Sequence, residues 1–176
     1  MKTNTVETWK KFGKEDPYYG VLSDPKYKSD KITDKGLSDF FATGKTYVME
    51  TLHRIEKLYG SDLSNAAILD FGCGVGRLAI PFSFVTKNRT AGIDVSPEIL
   101  EKAKAHAIEM GAKNVEFLLS EGRTLPKTGK FDFINSYIVL QHIETKAGMA
   151  IIQQLLDRLE VGGIMQIQAT YGNNWP

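Results

Sequence analysis

Apolar residues recur along this chain in two different rhythms. Over residues 37–59 the positions Leu37, Phe40, Phe41, Val48, Leu52, Ile55 and Leu58 are mostly spaced by threes and fours, the period of an amphipathic helix. Gly44 interrupts that run, which predicts two helices meeting near it, and Gly60 supplies a stop. The rhythm then changes. Residues 66–71 (AAILDF) form a short apolar run closed by an acid and a glycine loop, the pattern of a strand buried on both faces. Residues 90–93, 115–119, 131–136 and 164–170 repeat it. Helices are predicted between them. Residues 78–84 carry Pro81, expected early in the helix or at a kink. Residues 97–110 open with Ser96 as N-cap and Pro97 at the first position, and stop at Gly111. Residues 147–159 end at Val161-Gly162-Gly163, read as the turn into the last strand.

Strands alternating with helices imply repeated βαβ units. The expected class is α/β: a Rossmann-like, mostly parallel sheet of five strands with helices on both faces. Residues 1–35 read differently. They are polar, carry Pro17 and Pro25, and lack a long period. Yet Trp9, Phe12, Tyr18, Tyr19, Val21, Leu22 and Tyr27 are too many large side chains for a free tail. They predict an arm, with one short helix, that packs on the domain as a helical N-terminal extension. The expected division is residues 1–60 as arm and helices and residues 61–176 as the ligand-binding domain, together one structural unit.

Composition narrows the class. A length of 176 residues suits one domain, and 42% hydrophobic with 24% charged residues excludes a disordered chain. Twenty-two basic against 21 acidic residues give +1, which removes any global attraction to nucleic acid or anionic membrane. The single Cys73 excludes an intramolecular disulfide and a multi-cysteine metal cluster. His53, His106 and His142 have no paired spacing, so no metal site is expected. No apolar run approaches the ~20 residues of a membrane helix, and residues 1–16 contain no secretory h-region. A soluble cytoplasmic protein is expected.

The candidate chemistry lies at the end of the first strand, in Ile68-Leu69-Asp70-Phe71-Gly72-Cys73-Gly74-Val75-Gly76-Arg77. Glycines at alternate positions let the backbone turn sharply and approach a ligand closely. In open α/β sheets ligands bind at this end of the strands. Two ligand classes use such a loop. Gly74-x-Gly76-x-x-Ala79, with Asp94 20 residues after Gly74, fits the dinucleotide fingerprint and would make the chain an NAD-dependent oxidoreductase. Against that reading, Asp70 places a carboxylate where a pyrophosphate would pass, and no second domain for a hydride acceptor is visible. A carboxylate suits an ammonium group instead. S-adenosylmethionine carries an ammonium, a sulfonium and a ribose diol, and no phosphate. Asp70 would hold the ammonium and Asp94 the ribose hydroxyls.

Four segments, ILDFGCGVGRLAIPF, AGIDVSPEILEKAKAHA, FDFINSYIVLQHI and LLDRLEVGGIMQI, stand in order and at consistent spacing. Over residues 66–170 they resemble the class I S-adenosylmethionine-dependent methyltransferases. DPYYGVLSD and FFATGK resemble segments that precede this core in one bacterial branch. The resemblance implies S-adenosyl-L-methionine as cofactor. It implies Asp70, Gly72, Cys73, Gly74 and Gly76 around the methionine end, Asp94 at the ribose, and Val95 and Ser96 beside the adenine. Gly122 and Arg123 would close over the adenine, with Glu121 a candidate for its amino group. Asn135, Ser136 and Tyr137 match the place where substrate meets the methyl group, and Gln141 and His142 follow on the same wall. His142 is the candidate catalytic base for a hydroxyl acceptor, whereas a neutral amine needs little base catalysis. Cys73 is read as a small side chain tolerated in a tight loop, and Tyr18 and Tyr19 as packing of the arm. His53 and His106 are read as helix-surface residues. Arg77 is either a surface residue or a carboxylate anchor. The expected acceptor is a small molecule rather than a nucleic acid.

One departure stands out. The family sheet has seven strands, the last two an antiparallel hairpin, and this chain supplies five. Its fifth strand would be an apolar edge. The expectation is that the sheet continues past Pro176, or that a partner chain such as a second copy covers it, rather than the N-terminal arm. The alternative function is a cofactor-binding domain that is catalytically incomplete until a partner completes it.

Overall fold

The computed structural model describes residues 5–169. Five strands form one sheet: β1 (Ile68–Phe71), β2 (Thr90–Asp94), β3 (Val115–Leu119), β4 (Phe131–Ser136) and β5 (Leu159–Ile167). All pairings are parallel, in the order β3-β2-β1-β4-β5. Six α-helices accompany them: α1 (Thr5–Glu15), α2 (Pro17–Val21), α3 (Asp34–Tyr59), α4 (Ala79–Val85), α5 (Pro97–Glu109) and α6 (Thr145–Leu156). This is the expected Rossmann-like α/β class, with helices on both faces.

Alternation along the central strands sorts the core. Ile68 and Phe133 face one side and pack with Val48 and Ile55 of α3 and Phe82 of α4. Leu69, Phe71 and Ile134 face the other and meet Ile151 and Leu155 of α6. Phe82 meets Phe133 at 5.6 Å between ring centroids, steeply inclined. Such a pair is worth about 0.5–1.5 kcal/mol beyond area burial. β1 is buried along its whole length, so its end can present a carboxylate only into an interior cavity.

Three elements differ from the pattern read above. The break expected at Gly44 is absent, and α3 runs uninterrupted from its Thr33 N-cap to Gly60. Gly44 is small for another reason: a Cβ there would overlap the carbonyl oxygen of Arg77. The arm contains two α-helices and a 3-10 turn (Pro25–Tyr27) where one short helix was expected. Strand β5 starts at Leu159, where a helix end was expected. Leu159 pairs with Phe131 and Ile164 with Phe133, so the intervening residues bulge, with Gly162 at φ 82°. The Gly-Gly signal marks this bulge rather than a turn. The predicted strand end, Thr170, lies outside the described residues.

The arm packs on α5. A Cβ on Gly13 would overlap Ser96 Oγ. Tyr18 Oη lies 2.8 Å from His106 Nε2, and His106 is only 7% exposed. His106 is therefore not a helix-surface residue, because the arm covers its face of α5. Among the described residues, no strand pairs with the outer edge of β5, and no helix is long and apolar enough to cross a membrane.

Candidate active site

The loop after β1 is built from left-handed glycines. Gly72 and Gly74 adopt φ 75° and 55°, which a side chain would strain. A Cβ on Gly72 would overlap Val139, beyond β4, and one on Gly74 would crowd Val21 of the arm. Two walls from distant parts of the chain are thus pressed onto the loop.

Asp94 ties β2 to that loop. Its Oδ2 accepts from Gly74 N at 3.0 Å, and its Oδ1 accepts from Val95 N at 2.7 Å and Ser96 N at 3.1 Å. Burial pushes this carboxyl upward, and the three amide bonds oppose the shift. Asp70, at the end of β1, is 2% exposed. Burial pushes its carboxyl up to about 7, against the pull of its bond from Asn135 and of the Arg77 charge. Asn135 Nδ2 donates to Asp70 Oδ1 at 2.7 Å. Behind it, Tyr47 Oη donates to Asn135 Oδ1 at 3.0 Å, and Gln166 Nε2 donates to Tyr47 Oη at 2.7 Å. One hydrogen-bonded chain therefore runs from β5 through α3 and β4 to the acid. The Tyr47 hydroxyl is pushed up to about 12, chiefly by burial.

Arg77 resolves its two readings toward the interior. It is 4% exposed. Its Nη1 donates to Thr43 Oγ1 at 3.2 Å, and its guanidinium lies 5.8 Å from the centre of the Tyr137 ring. Its Nε is buried without a partner, and among the described residues no carboxylate forms an ion pair with it. Burial pulls its pKa below the usual value. The Asp70 charge opposes that shift without a contact ion pair, and an interior cation so placed is costly unless a further anionic group completes it.

These groups surround one cavity of about 500 Å³. Asp70, Gly72, Cys73, Gly74, Asp94, Val95, Gly122, Arg123 and Tyr137 line it. Gly76, Ser96 and Ser136 stand behind the wall. A Cβ on Gly76 would crowd Ile80 and Phe117, Ser96 caps α5 by accepting from Ile99 N, and Ser136 is buried at the end of β4. Glu121 is exposed and off the cavity. Burial pushes the Cys73 thiol well above its usual value, as an inert small side chain requires. Gln141 and His142, on a 3-10 turn (Leu140–His142), face a neighbouring cavity instead.

The sequence reading missed Thr5, Val6, Trp9, Gly20 and Val21 of the arm, and Ile138 and Val139 beyond β4, all of which line the first cavity. The surplus of large residues before position 35 was the only signal for the arm's part in it.

Fold and site together define a Rossmann-like domain with a cavity at the carboxyl ends of its central strands. The chain belongs to the methyltransferase domain family, whose model matches residues 68–163. It is 29% identical over 138 residues to the ribosomal protein L11 methyltransferase of Azotobacter vinelandii, covering 78% of this chain and 46% of that protein. It is 33% identical over 105 residues to the mitochondrial ubiquinone biosynthesis O-methyltransferase of Candida albicans, covering 57% of this chain and 31% of that protein. The chain thus spans less than half the length of these two relatives. Its fold is similar to that of magnesium protoporphyrin IX methyltransferase from Synechocystis PCC 6803 with bound SAH. The TM-score is 0.65 at 22% identity, over 91% of this chain and 68% of that one.

Proposed function

We propose that the first cavity binds S-adenosylmethionine and that the chain transfers its methyl group to a small-molecule acceptor. The observation that carries this reading is the set of buried charges lining the cavity, two strand-end carboxylates, Asp70 and Asp94, and the Arg77 guanidinium, which makes no contact ion pair among the described residues; Arg123 and Glu144 add one charge of each sign to the lining. That set complements an α-amino acid end and a diol. It opposes a pyrophosphate, which Asp70 would repel, so the dinucleotide reading is not favoured.

The bound cofactor supplies an already activated methyl electrophile. The chain's own residues do the rest. Asp70 binds the ammonium, Arg77 the carboxylate, and Asp94 accepts from one ribose hydroxyl at the one lone-pair site on Oδ2 that its three amide bonds leave. Val95 lies beside the adenine, and Gly122 and Arg123 close over it, against Val6 of the arm. Trp9, Val21 and Val139 exclude water, which strengthens every charge interaction inside. His142 takes the proton from a hydroxyl acceptor. Burial pulls its imidazole below the usual value, which favours the neutral ring that can accept a proton. In this reading residues 1–60 close the chamber and residues 61–176 hold the cofactor. The setting is the reducing cytoplasm, and either further strands of the sheet or a partner chain cover the outer edge of β5.

Calorimetric titration with S-adenosylhomocysteine, with NADH as control, tests the reading. Binding of the first alone is expected, with loss in Asp94→Ala. Binding of NADH, or silence with S-adenosylhomocysteine, would overturn it.

A further inference from the structure

The hydrogen-bonded chain behind Asp70 has a direction, and its outermost member sets it. Arg54 of α3 can only donate. Its Nη1 donates to Gln166 Oε1 at 3.1 Å. The Gln166 amide is thereby turned with Nε2 inward, where it donates to Tyr47 Oη at 2.7 Å and to Thr51 Oγ1 at 3.3 Å. A hydroxyl has a single proton to give. With Gln166 as its donor, Tyr47 gives that proton to Asn135 Oδ1, 3.0 Å away. Gln166 Nε2 reaches the same oxygen at 3.5 Å. The Asn135 carbonyl is thus engaged from behind, and Nδ2 is left to donate to Asp70 Oδ1 at 2.7 Å. Gln166 and Tyr47 are half-buried and Asn135 is fully buried, so water competes little along this path.

The direction decides which form of the acid gains. An N–H held against Asp70 favours the carboxylate. A carbonyl oxygen in the same place would accept from the carboxylic acid and favour that form instead. The two ends of an asparagine amide are alike in size, so packing does not choose between them. Only the groups behind Asn135 do.

Asp70 sits where such a choice matters. Burial pushes its carboxyl up to about 7 and the charge of Asp94 adds to the rise, whereas the Asn135 bond, the Arg77 charge and the Ala79 amide oppose it. Cys73 and Tyr47 also face it, and burial raises both, which keeps them neutral at pH 7. Tyr137, Arg123 and Glu144 complete the titratable lining of the cavity among the described residues. Arg54, Tyr47, Asn135 and Gln166 do not line it.

Resting on the cofactor reading above, we propose that Tyr47 is a positioning residue: with Gln166 and Arg54 it locks the Asn135 amide with its N–H toward Asp70, and so favours the ionised acid that the ammonium group of the cofactor requires. Tyr47 acts without touching the ligand. Released from Tyr47, Asn135 turns, the protonated acid gains a partner, and a protonated Asp70 holds no ammonium.

The test is a pH series of calorimetric titrations with S-adenosylhomocysteine and with 5′-methylthioadenosine, which lacks the amino acid end. In the parent, S-adenosylhomocysteine affinity is expected to rise with pH through about 7, where Asp70 ionises. In Tyr47→Phe, which keeps the ring that lies 4.4 Å from Tyr137, that midpoint is expected to move up by about one pH unit. The variant then binds S-adenosylhomocysteine about fivefold more weakly at pH 7 and within about twofold of the parent at pH 8.5. 5′-Methylthioadenosine is expected to bind both proteins alike at each pH. Damaged packing would not be repaired by raising the pH. An unmoved midpoint, or a loss as large at pH 8.5 as at pH 7, would overturn the proposal. Gln166→Leu removes the donor that directs the Tyr47 hydroxyl without changing charge, and is expected to move the midpoint the same way by less. If Tyr47→Phe does not fold, an unmoved midpoint in Gln166→Leu would overturn the proposal. NMR of the Asp70 carboxyl carbon reads the same midpoint in the free proteins. Failure of S-adenosylhomocysteine to bind the parent would therefore overturn the cofactor reading, and the carbon titration would still decide whether Tyr47 governs Asp70.

Discussion

The side-chain amide of Asn135 donates to the carboxylate of Asp70 across two neighbouring parallel strands, 2.7 Å from Nδ2 to Oδ1. The two residues are register partners in the β1–β4 ladder. The bond is therefore fixed by the sheet, and the acid has little freedom to turn toward water. That geometry makes Asp70 sensitive to pH.

Asp70 titrates at about 7 in the folded protein and at 3.8 as an ordinary aspartate. Between those values the folded chain holds a proton that the unfolded chain has lost. Stability therefore falls as pH rises through that window. Asp70→Asn removes the buried charge while keeping an acceptor for Asn135. It is expected to stabilise the free protein at pH 8 by on the order of 2 kcal/mol, roughly 4–8 °C in Tm, and to change little at pH 4. S-adenosylhomocysteine binding should be lost in the same variant. Thermal scans at the two pH values check this, and an unchanged or lowered Tm at pH 8 contradicts it.

Arg77 is expected to read the carboxylate end of the ligand. Arg77→Met should weaken S-adenosylhomocysteine by ~10–100-fold, the range for losing a charge-assisted pair. 5′-Methylthioadenosine, which lacks the amino acid end, should bind the variant within about threefold of the parent, that loss being too small for a missing ion pair. Arg77→Lys should recover part of the affinity. Equal losses for both ligands would give Arg77 a purely structural role.

Gly44 is where α3 passes the start of the glycine-loop helix. Alanine is the better helix former by about 1 kcal/mol, so Gly44→Ala would stabilise an unobstructed helix. Here the new methyl meets the Arg77 backbone carbonyl, which no rotamer change relieves. Overpacking costs about 1–3 kcal/mol. A net fall in Tm is expected, with S-adenosylhomocysteine affinity falling alongside as Arg77 shifts. A rise in Tm would mean that α3 slides freely at this point.

Tyr18 anchors the arm through its hydroxyl on His106. Tyr18→Phe should cost about 1 kcal/mol, the usual value of one such bond. It should also raise the rate of proteolysis within residues 5–22. Denaturant melts and limited digestion check both, and an unaltered digestion rate argues against the anchor.

How much of this was legible in the sequence follows from the range of the interactions involved. Strands β1 to β4 and the glycine loop were readable because buried parallel strands are short apolar runs and loop glycines follow them directly. Helix α5 was readable from Ser96 and Pro97, a local signal. Gly44 and Gly162 were misread for one reason: a glycine breaks structure, permits close approach or absorbs a bulge, and only the neighbour decides which. Arg77 could not be assigned, because its burial depends on α3 lying across it. The neighbouring cavity was invisible, since its walls join residues 5–23 to residues 138–142. That contact spans most of the chain, and no local period encodes it.

The arm carries a practical consequence. Thr5 and Val6 already line the first chamber, and a Cβ on Gly122 would come within 2.6 Å of Val6. An affinity tag fused ahead of Met1 therefore begins four residues from a wall of the ligand site. Dissociation constants measured on such a fusion would describe the tag and the wall together. Recombinant protein with its N-terminal tag cleaved is the material on which affinities at that site are best measured.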